Sequence, residues 1–107
     1  MIRLLSTLFV AVLLAIPVFG QHPQSTLDKI KATKTISLGY RESSFPFSHI
    51  GEDKKPSGYS VDLCTRIAAG VQQQLGLADL TIKWVVVTPE NRLAMVANGT
   101  IDLECGS

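Results

Sequence analysis

The sequence predicts an α/β fold with a short parallel sheet flanked by helices. From residue 35 onward, the patterns follow the order strand, loop, helix, strand, helix, strand. Strands that alternate with helices imply right-handed crossovers and parallel pairing. Hydrophobic residues make up 46% of the 107 residues and charged residues 18%, which is the composition of a globular domain. These observations exclude a β-sandwich and a helical bundle.

The first 20 residues are predicted to be a signal peptide. Arg3 gives a positive start, residues 4–18 are mostly apolar, and cleavage is expected after Gly20. The alternative is a permanent membrane anchor, but this apolar run is shorter than the roughly 20 residues that span a bilayer. Gln21 stands where a lipoprotein would carry a cysteine, so we expect a soluble exported protein.

A short helix follows a polar leader. Ser25 or Thr26 can cap a helix over residues 27–32. Only Leu27 and Ile30 form its apolar face, so we expect it to be peripheral.

Residues 35–40 alternate with a period of two and are predicted to form a strand. The loop after it carries Arg41, two adjacent serines beginning at Ser43, and two phenylalanines. Ligands of open α/β sheets bind outside the carboxyl ends of strands, so Arg41 is placed where it could meet a carboxylate. The alternative is that Arg41 forms a surface ion pair. Residues 49–56 are expected to form a polar excursion.

The longest periodic element is a helix that we expect to be capped by Ser60 and stopped by Gly76. Asp62 falls in its first turn, where complementing the helix dipole is favoured over a catalytic role. Its apolar residues recur at spacings of three and four. They are Val61, Cys64, Ile67, Ala68, Val71 and Leu75.

Two strands and one helix complete the pattern. Residues 79–87 end in a run so apolar that we expect a strand buried on both faces. A short helix over residues 93–97 then leads into a strand over 101–104. The chain ends at Cys105-Gly106-Ser107, a turn whose amides and hydroxyl could hold an anion. Because no further element follows to pack against this turn, we expect the chain to be truncated.

The sequence contains two cysteines, Cys64 and Cys105. In the oxidising space that exported proteins reach, an even pair is expected to be bridged, and two separate buried thiols are the alternative. A bridge closing a loop of about 40 residues would stabilise the fold by roughly 4 kcal/mol if its effect is entropic. His22 and His49 lie in polar segments without metal-ligand spacing, so neither a metal nor a cofactor is expected.

The charge pattern and the hydroxyl residues exclude two further classes of function. Ten basic and nine acidic residues give a net charge of +1 and form no basic stripe, so nucleic-acid binding is not expected. Ser43 and Ser44 have no histidine partner in a recognisable motif, so no catalytic residue is predicted.

Four stretches of the chain carry a resemblance to a known family. They are residues 25–30 (STLDKI), 39–48 (GYRESSFPFS), 58–64 (GYSVDLC) and 91–107, which contains NGTID and ends in ECGS. They resemble the exported solute-binding proteins of family 3, the polar amino-acid binders of ABC importers, and among them the glutamate/aspartate-binding branch. The arginine loop and the ECGS ending resemble this branch, whereas the NGTID segment is a trait of the wider family.

The resemblance implies a two-lobed periplasmic-binding-protein fold of type II, of which this chain holds the N-terminal part of lobe one. The expected parts are a signal peptide (1–20), a leader with a short helix (21–34) and an incomplete lobe one (35–107). The implied function is to bind glutamate or aspartate in the periplasm, as a soluble monomer, and to deliver it to an ABC permease in the membrane.

The resemblance also implies roles for individual residues. Arg41 is expected to pair with the acidic side chain of the ligand, and Arg92 to contribute to the same charged pocket. Ser107 matches a position that contacts the ligand's α-carboxylate, and Ser43 is expected to bind ligand from the arginine loop. The branch often has a serine where this chain has Pro89, which removes a hydroxyl and an amide donor from the pocket.

Two other classes share the lobe that the resemblance implies. A sensing domain of a receptor is one, and a transmembrane helix downstream would mark it. An enzyme, either a dehydratase or a lytic transglycosylase, is the other, and a carboxylate general acid or an added catalytic domain would reveal it.

Overall fold

Parallel strands and helices form the main body, as the sequence predicts. The computed structural model describes residues 25–107, and the predicted signal peptide lies outside them. Among these residues, no helix is both long and apolar enough to cross a membrane. The elements are α1 (Thr26–Thr33), β1 (Thr35–Tyr40), β2 (Ser43–Ser44), β3 (Ser48–Ile50), β4 (Pro56–Ser57), α2 (Tyr59–Gln74), β5 (Thr81–Val86), α3 (Arg92–Ala97) and β6 (Leu103–Glu104).

Strand β1 lies in the centre of the main sheet, between β5 and β6. Both pairings are parallel, with Leu38 opposite Trp84 on one side and opposite Leu103 on the other. The predicted α/β class and the parallel sheet are therefore confirmed. Because all three strands run the same way, their carboxyl ends meet at one edge.

The core lies between one face of the sheet and the helices α1 and α2. Helix α1 begins after Ser25, whose hydroxyl accepts a hydrogen bond from the Asp28 amide, and it buries Ile30. Helix α2 brings in apolar side chains at the spacing that the sequence shows. The buried cluster consists of Ile30, Ile36, Leu38, Cys64, Ala68 and Cys105.

The predicted apolar stripe of α2 is wrong at one position. Ile67 is 48% exposed, because it shares an outer face with Tyr59 and Leu63 at steps of four residues. The inner face is formed by Cys64 and Ala68, one turn apart.

On the opposite face of β1, neighbouring side chains lie so close to the strand that only glycine fits at position 39. A Cβ placed on Gly39 would lie 2.6 Å from Ile101 Cδ1 and 2.9 Å from Val87 Cγ1. Both of these side chains are buried. The sheet therefore packs tightly on this side through Gly39.

Burial of β5 on both faces is a prediction that the structure contradicts. Thr81, Lys83 and Val86 are exposed, and the residues between them are half-buried. Among the described residues β5 is an edge strand with one hydrogen-bonded neighbour, and none of its side chains is fully buried. Val87, just beyond it, is the buried end of the run.

The start of α2 also differs from the prediction. The cap is Gly58, not Ser60, and its φ of 121° suits glycine alone. The amides of Tyr59 and Ser60 donate to the carbonyls of Pro46 and Phe47, at 3.1 and 2.8 Å. Backbone groups of the preceding loop therefore take the place of a side-chain cap.

The segment predicted as a loop and polar excursion contains three short antiparallel strands. Strands β2, β3 and β4 form a separate sheet in which His49 lies opposite Ser43 on one side and Ser57 on the other. Strands of two or three residues are too short to show a period of two, so the sequence pattern could not reveal them.

The predicted disulfide is confirmed. Cys64 of α2 and Cys105, just after β6, are joined, with their Cα atoms 6.1 Å apart. Both residues are buried. The bridge ties the core face of α2 to the end of β6.

We expect loss of this bridge to lower the free energy of unfolding. The double substitution Cys64→Ala and Cys105→Ala should cost about 4 kcal/mol, because it frees a loop between residues 41 apart in sequence. Urea unfolding of the intact protein measures the change, and the reduced wild type is the control. A loss below about 1 kcal/mol would contradict the loop-entropy argument.

A matched pair of glycine substitutions tests the close packing at β1. Gly39→Ala should lower the free energy of unfolding by about 1–3 kcal/mol, since its methyl would overlap Ile101 and Val87. Gly70→Ala, where a Cβ on α2 meets nothing within 4 Å, should raise it by about 0.5–1 kcal/mol. Thermal and urea unfolding measure both, and equal effects would refute the packing argument.

Candidate functional site

Three of the four predicted ligand-binding residues gather at the edge where the parallel strands end. Arg41 directly follows β1, Gly106 and Ser107 follow β6, and Arg92 begins the helix after β5. Ligands of open α/β sheets bind outside this edge. The fold therefore places all three parts of the predicted pocket on one side.

Arg41, Arg92 and Ser107 are brought together around the last turn of the chain. The Arg92 Nη1 atom donates a hydrogen bond to the Ser107 carbonyl at 2.6 Å. Arg41 Cγ lies 3.1 Å from where a Cβ on Gly106 would be. Both arginine side chains therefore lie against the Gly106–Ser107 turn.

Glu104 belongs to the same cluster, although the sequence analysis did not select it. Its Oε1 atom accepts a hydrogen bond from the Gly106 amide at 2.7 Å and occupies the space that a Cβ on Gly106 would need. This contact fixes the direction of the amide. The sequence did contain a signal for this contact, because an acidic residue stands two positions before a glycine at the end of a predicted strand.

Ser43 is not drawn into this cluster. It lies exposed on β2, and within residues 25–107 its hydroxyl makes no hydrogen bond. His49 lies directly across from it on β3, not in a loop as expected. The His49 Nδ1 atom is buried without a hydrogen-bond partner, and its ring packs against Phe45 with centroids 5.0 Å apart. The described residues therefore contain no hydrogen-bonded serine–histidine pair here.

Helix α3 is started by a reciprocal pair of hydrogen bonds that places Arg92. The Asn91 amide donates to Thr88 Oγ1 at 3.2 Å, and the Thr88 amide donates to Asn91 Oδ1 at 2.8 Å. The Arg92 amide donates to the Thr88 carbonyl at 3.1 Å. Thr88 and Asn91 thus bond reciprocally across the turn that precedes α3, as the first and fourth residues of a capping box do, and Pro89 in this turn has no N–H that needs a partner.

Asp102 holds the start of β6 in place. Its Oδ2 atom accepts from the Ser37 amide at 2.8 Å, and the Asp102 amide donates to the Ser37 carbonyl at 2.8 Å. Its other oxygen lies against the ammonium of Lys29, which also donates to the Gly99 carbonyl at 3.2 Å. The carboxylate is 3% exposed, so it is committed to structure rather than to a ligand.

The two arginines of the site have no acidic side chain as an ion-pair partner in the described residues. Within residues 25–107, Lys29 and Asp102 form the only ion pair closer than 4.0 Å. Neither Arg41 nor Arg92 therefore has an aspartate or glutamate carboxylate of the described chain within that distance, although Arg92 is held by the Ser107 oxygen. Two guanidinium groups without counter-ions, beside a turn of backbone amides, suit an anionic ligand.

Comparison with known families agrees with this arrangement. The family of bacterial extracellular solute-binding proteins, family 3, matches residues 36–107, which include the whole of the main sheet except Thr35. The chain belongs to this family.

Two relatives share long stretches with the chain. It is 48% identical over 105 residues to the L-glutamate/L-aspartate-binding protein of Pseudomonas aeruginosa, covering 97% of this chain and 35% of that protein. It is 45% identical over 83 residues to the glutamate/aspartate import solute-binding protein of Escherichia coli, covering 78% and 28%. The chain thus spans about a third of the length of these relatives.

Solved structures support the fold that the resemblance implied. The chain superposes on an ancestral amino acid-binding protein, described as a precursor of cyclohexadienyl dehydratase, with a TM-score of 0.65. The alignment covers 77% of this chain and 33% of that one at 22% identity, so it bears on the fold alone. The described residues form part of lobe one of a type II periplasmic binding protein.

We expect Asp102 to stabilise the fold through the Ser37 amide. Asp102→Ala should lower the free energy of unfolding by about 2 kcal/mol, because that amide loses its acceptor. Asp102→Asn keeps an oxygen there and should cost about 1 kcal/mol. The exposed Asp79→Ala is the control, with a change within about 0.5 kcal/mol in urea unfolding. Equal losses for the alanine and asparagine variants would assign the effect to the Lys29 ion pair instead.

Proposed function

We propose that this chain is part of the ligand-binding component of an ABC amino-acid importer, and that the ligand is glutamate or aspartate. The component would act in the periplasm as a soluble monomer and hand its ligand to a membrane permease. The names of the two relatives support the ligand class. Because the chain spans about a third of their length, the activity of the whole protein is inferred from this part.

The observation that carries the proposal is the meeting of Arg41, Arg92 and the Gly106–Ser107 turn at one sheet edge. A dicarboxylic amino acid has two anionic groups and one cationic group. Planar guanidinium donors bind carboxylates through two parallel hydrogen bonds, which a single ammonium cannot do. In this arrangement Arg41 takes the side-chain carboxylate and Arg92 supports it.

The other proposed contacts surround this pair. Ser107 contacts the α-carboxylate of the ligand, and Ser43 offers an exposed hydroxyl from the arginine loop. Pro89 supplies neither a hydroxyl nor an amide, so we expect Thr88 and Asn91 to keep the helix start in place by their mutual hydrogen bonds without adding a ligand contact. Glu104 stays on the Gly106 amide.

The proposed mechanism is a hinge movement. Residues 35–107 form part of one lobe, following a signal peptide over 1–20 and a leader with a short helix over 21–34. Ligand bound at the edge of this lobe would also contact a second lobe and so stabilise the closed form, which docks on the permease. A ligand shifts such an equilibrium only by its difference in affinity for the two forms.

We also propose that the chain does not act as an enzyme. The likeness to a dehydratase precursor bears on the fold, and one fold can host unrelated functions. The support for a binding role is that the two relatives are named as binding proteins, and that Glu104, the carboxylate beside the Gly106–Ser107 turn, is already engaged by the Gly106 amide.

Isothermal titration of the intact protein with glutamate, aspartate and glutamine tests the proposal. We expect micromolar or tighter binding of the two acids, lowered about 10- to 100-fold by Arg41→Ala because a charge-assisted contact is lost. Arg66→Ala removes an exposed arginine from α2 and should leave binding unchanged. Absence of heat with both acids, or a preference for glutamine, would refute the proposed ligand.

A further inference from the structure

Ser48 is the buried polar residue of the described chain that no functional argument has yet used. Its side chain is fully enclosed, with 0% of the residue exposed. Its hydroxyl acts as both a hydrogen-bond donor and an acceptor toward a single residue, Arg41. The Oγ atom accepts from the Arg41 amide at 2.9 Å and donates to the Arg41 carbonyl at 3.3 Å.

The backbone of Arg41 needs such a partner because it lies between two sheets. Strand β1 ends at Tyr40, whose carbonyl accepts from Val87, and β2 begins at Ser43. Arg41 therefore has no strand beside it to satisfy its amide and carbonyl groups. A buried backbone group without a partner is costly, and the Ser48 hydroxyl satisfies both groups of Arg41.

Ser48 is itself held firmly. It begins β3 and pairs with Ser44 across the small antiparallel sheet, and the Phe47 amide closes the intervening turn on the Ser44 carbonyl at 2.9 Å. Two residues further along β3, the Ile50 amide donates to the Glu42 carbonyl at 3.1 Å. The small sheet thus presents the hydroxyl to Arg41 from a fixed position.

We propose that Ser48 is a positioning residue that sets the selectivity of the site for acidic ligands by fixing the backbone of Arg41. With this backbone fixed, the Arg41 side chain leaves β1 toward Gly106, against which its Cγ atom packs. Without the hydroxyl, the guanidinium would sample directions away from the site, and the ordering would have to be supplied by the ligand on binding. This inference rests on the proposed function.

The test measures binding of glutamate and glutamine to the intact protein by isothermal titration. Ser48→Ala should lower the affinity for glutamate about tenfold and that for glutamine less than twofold, since only the acidic side chain depends on Arg41. In an Arg41→Ala background, Ser48→Ala should have no further effect on glutamate, because the two residues act as one unit. A purely structural role would not produce this coupling.

Matched variants separate the hydroxyl from the fold. Ser57→Ala removes a hydroxyl from β4 of the same small sheet that forms no hydrogen bond within residues 25–107, and should leave both affinities unchanged. Ser48→Thr and Ser48→Val have the same shape and differ in the hydroxyl. The threonine variant should keep selectivity closer to the wild type, and this pair decides the question if Ser48→Ala does not fold.

Different failures have different meanings. Equal losses for glutamate and glutamine, an undiminished loss in the Arg41→Ala background, or equal selectivity of the threonine and valine variants would each overturn the role of Ser48. If the wild type binds neither glutamate nor aspartate, the proposed function fails first, and with it the ligand class on which this role depends.

Discussion

The parallel pairing of β1 with a strand on either side is the constraint on which the rest of the structure depends. It makes β1 the central strand, buries Ile36 and Leu38 against the helices, and leaves only glycine room at position 39. It also brings the carboxyl ends of the strands to one edge. Arg41 and the Gly106–Ser107 turn become neighbours because of this pairing, although they are more than sixty residues apart in sequence.

Strand β6 has only two residues, so contacts other than its hydrogen bonds to β1 must keep it in place. Its two residues pair with β1, while Asp102 just before it is tied to the Ser37 backbone and to Lys29, and Cys105 just after it is bonded to Cys64. The turn that follows therefore starts from a strand that is anchored just before and just after its two residues. A rigid scaffold beneath an open, charged edge is the arrangement that ligand-binding proteins commonly use.

Two stretches that carry the family resemblance, residues 98–102 and the arginine loop, serve different purposes in the structure. In the segment 98–102, Asn98 accepts hydrogen bonds from Thr100, Ile101 packs against Gly39, and Asp102 anchors β6. All of these contacts are internal. By contrast, Arg41 of the arginine loop has no carboxylate partner within 4.0 Å in the described residues. The segment 98–102 therefore serves the fold.

The sequence by itself determined the features that depend on near neighbours along the chain. Alternation of strand and helix patterns predicted the α/β class and the parallel sheet, and the spacing of Val61, Cys64 and Ala68 predicted the buried face of α2. The disulfide was predicted because the chain has two cysteines and carries a predicted signal for export. Arg41, Arg92 and Ser107 were selected through a family resemblance, and their proposed roles in ligand binding remain predictions.

Only the tertiary structure decided what depends on residues distant in sequence or on strands too short to show a period. The half-exposed face of β5 follows from its place at the sheet edge, and the small sheet of β2 to β4 follows from pairings of two or three residues. Glu104 on the Gly106 amide and Ser48 on Arg41 are likewise set by geometry. A hydroxyl or carboxylate can find many partners, and which one it meets is fixed only when the backbone has folded.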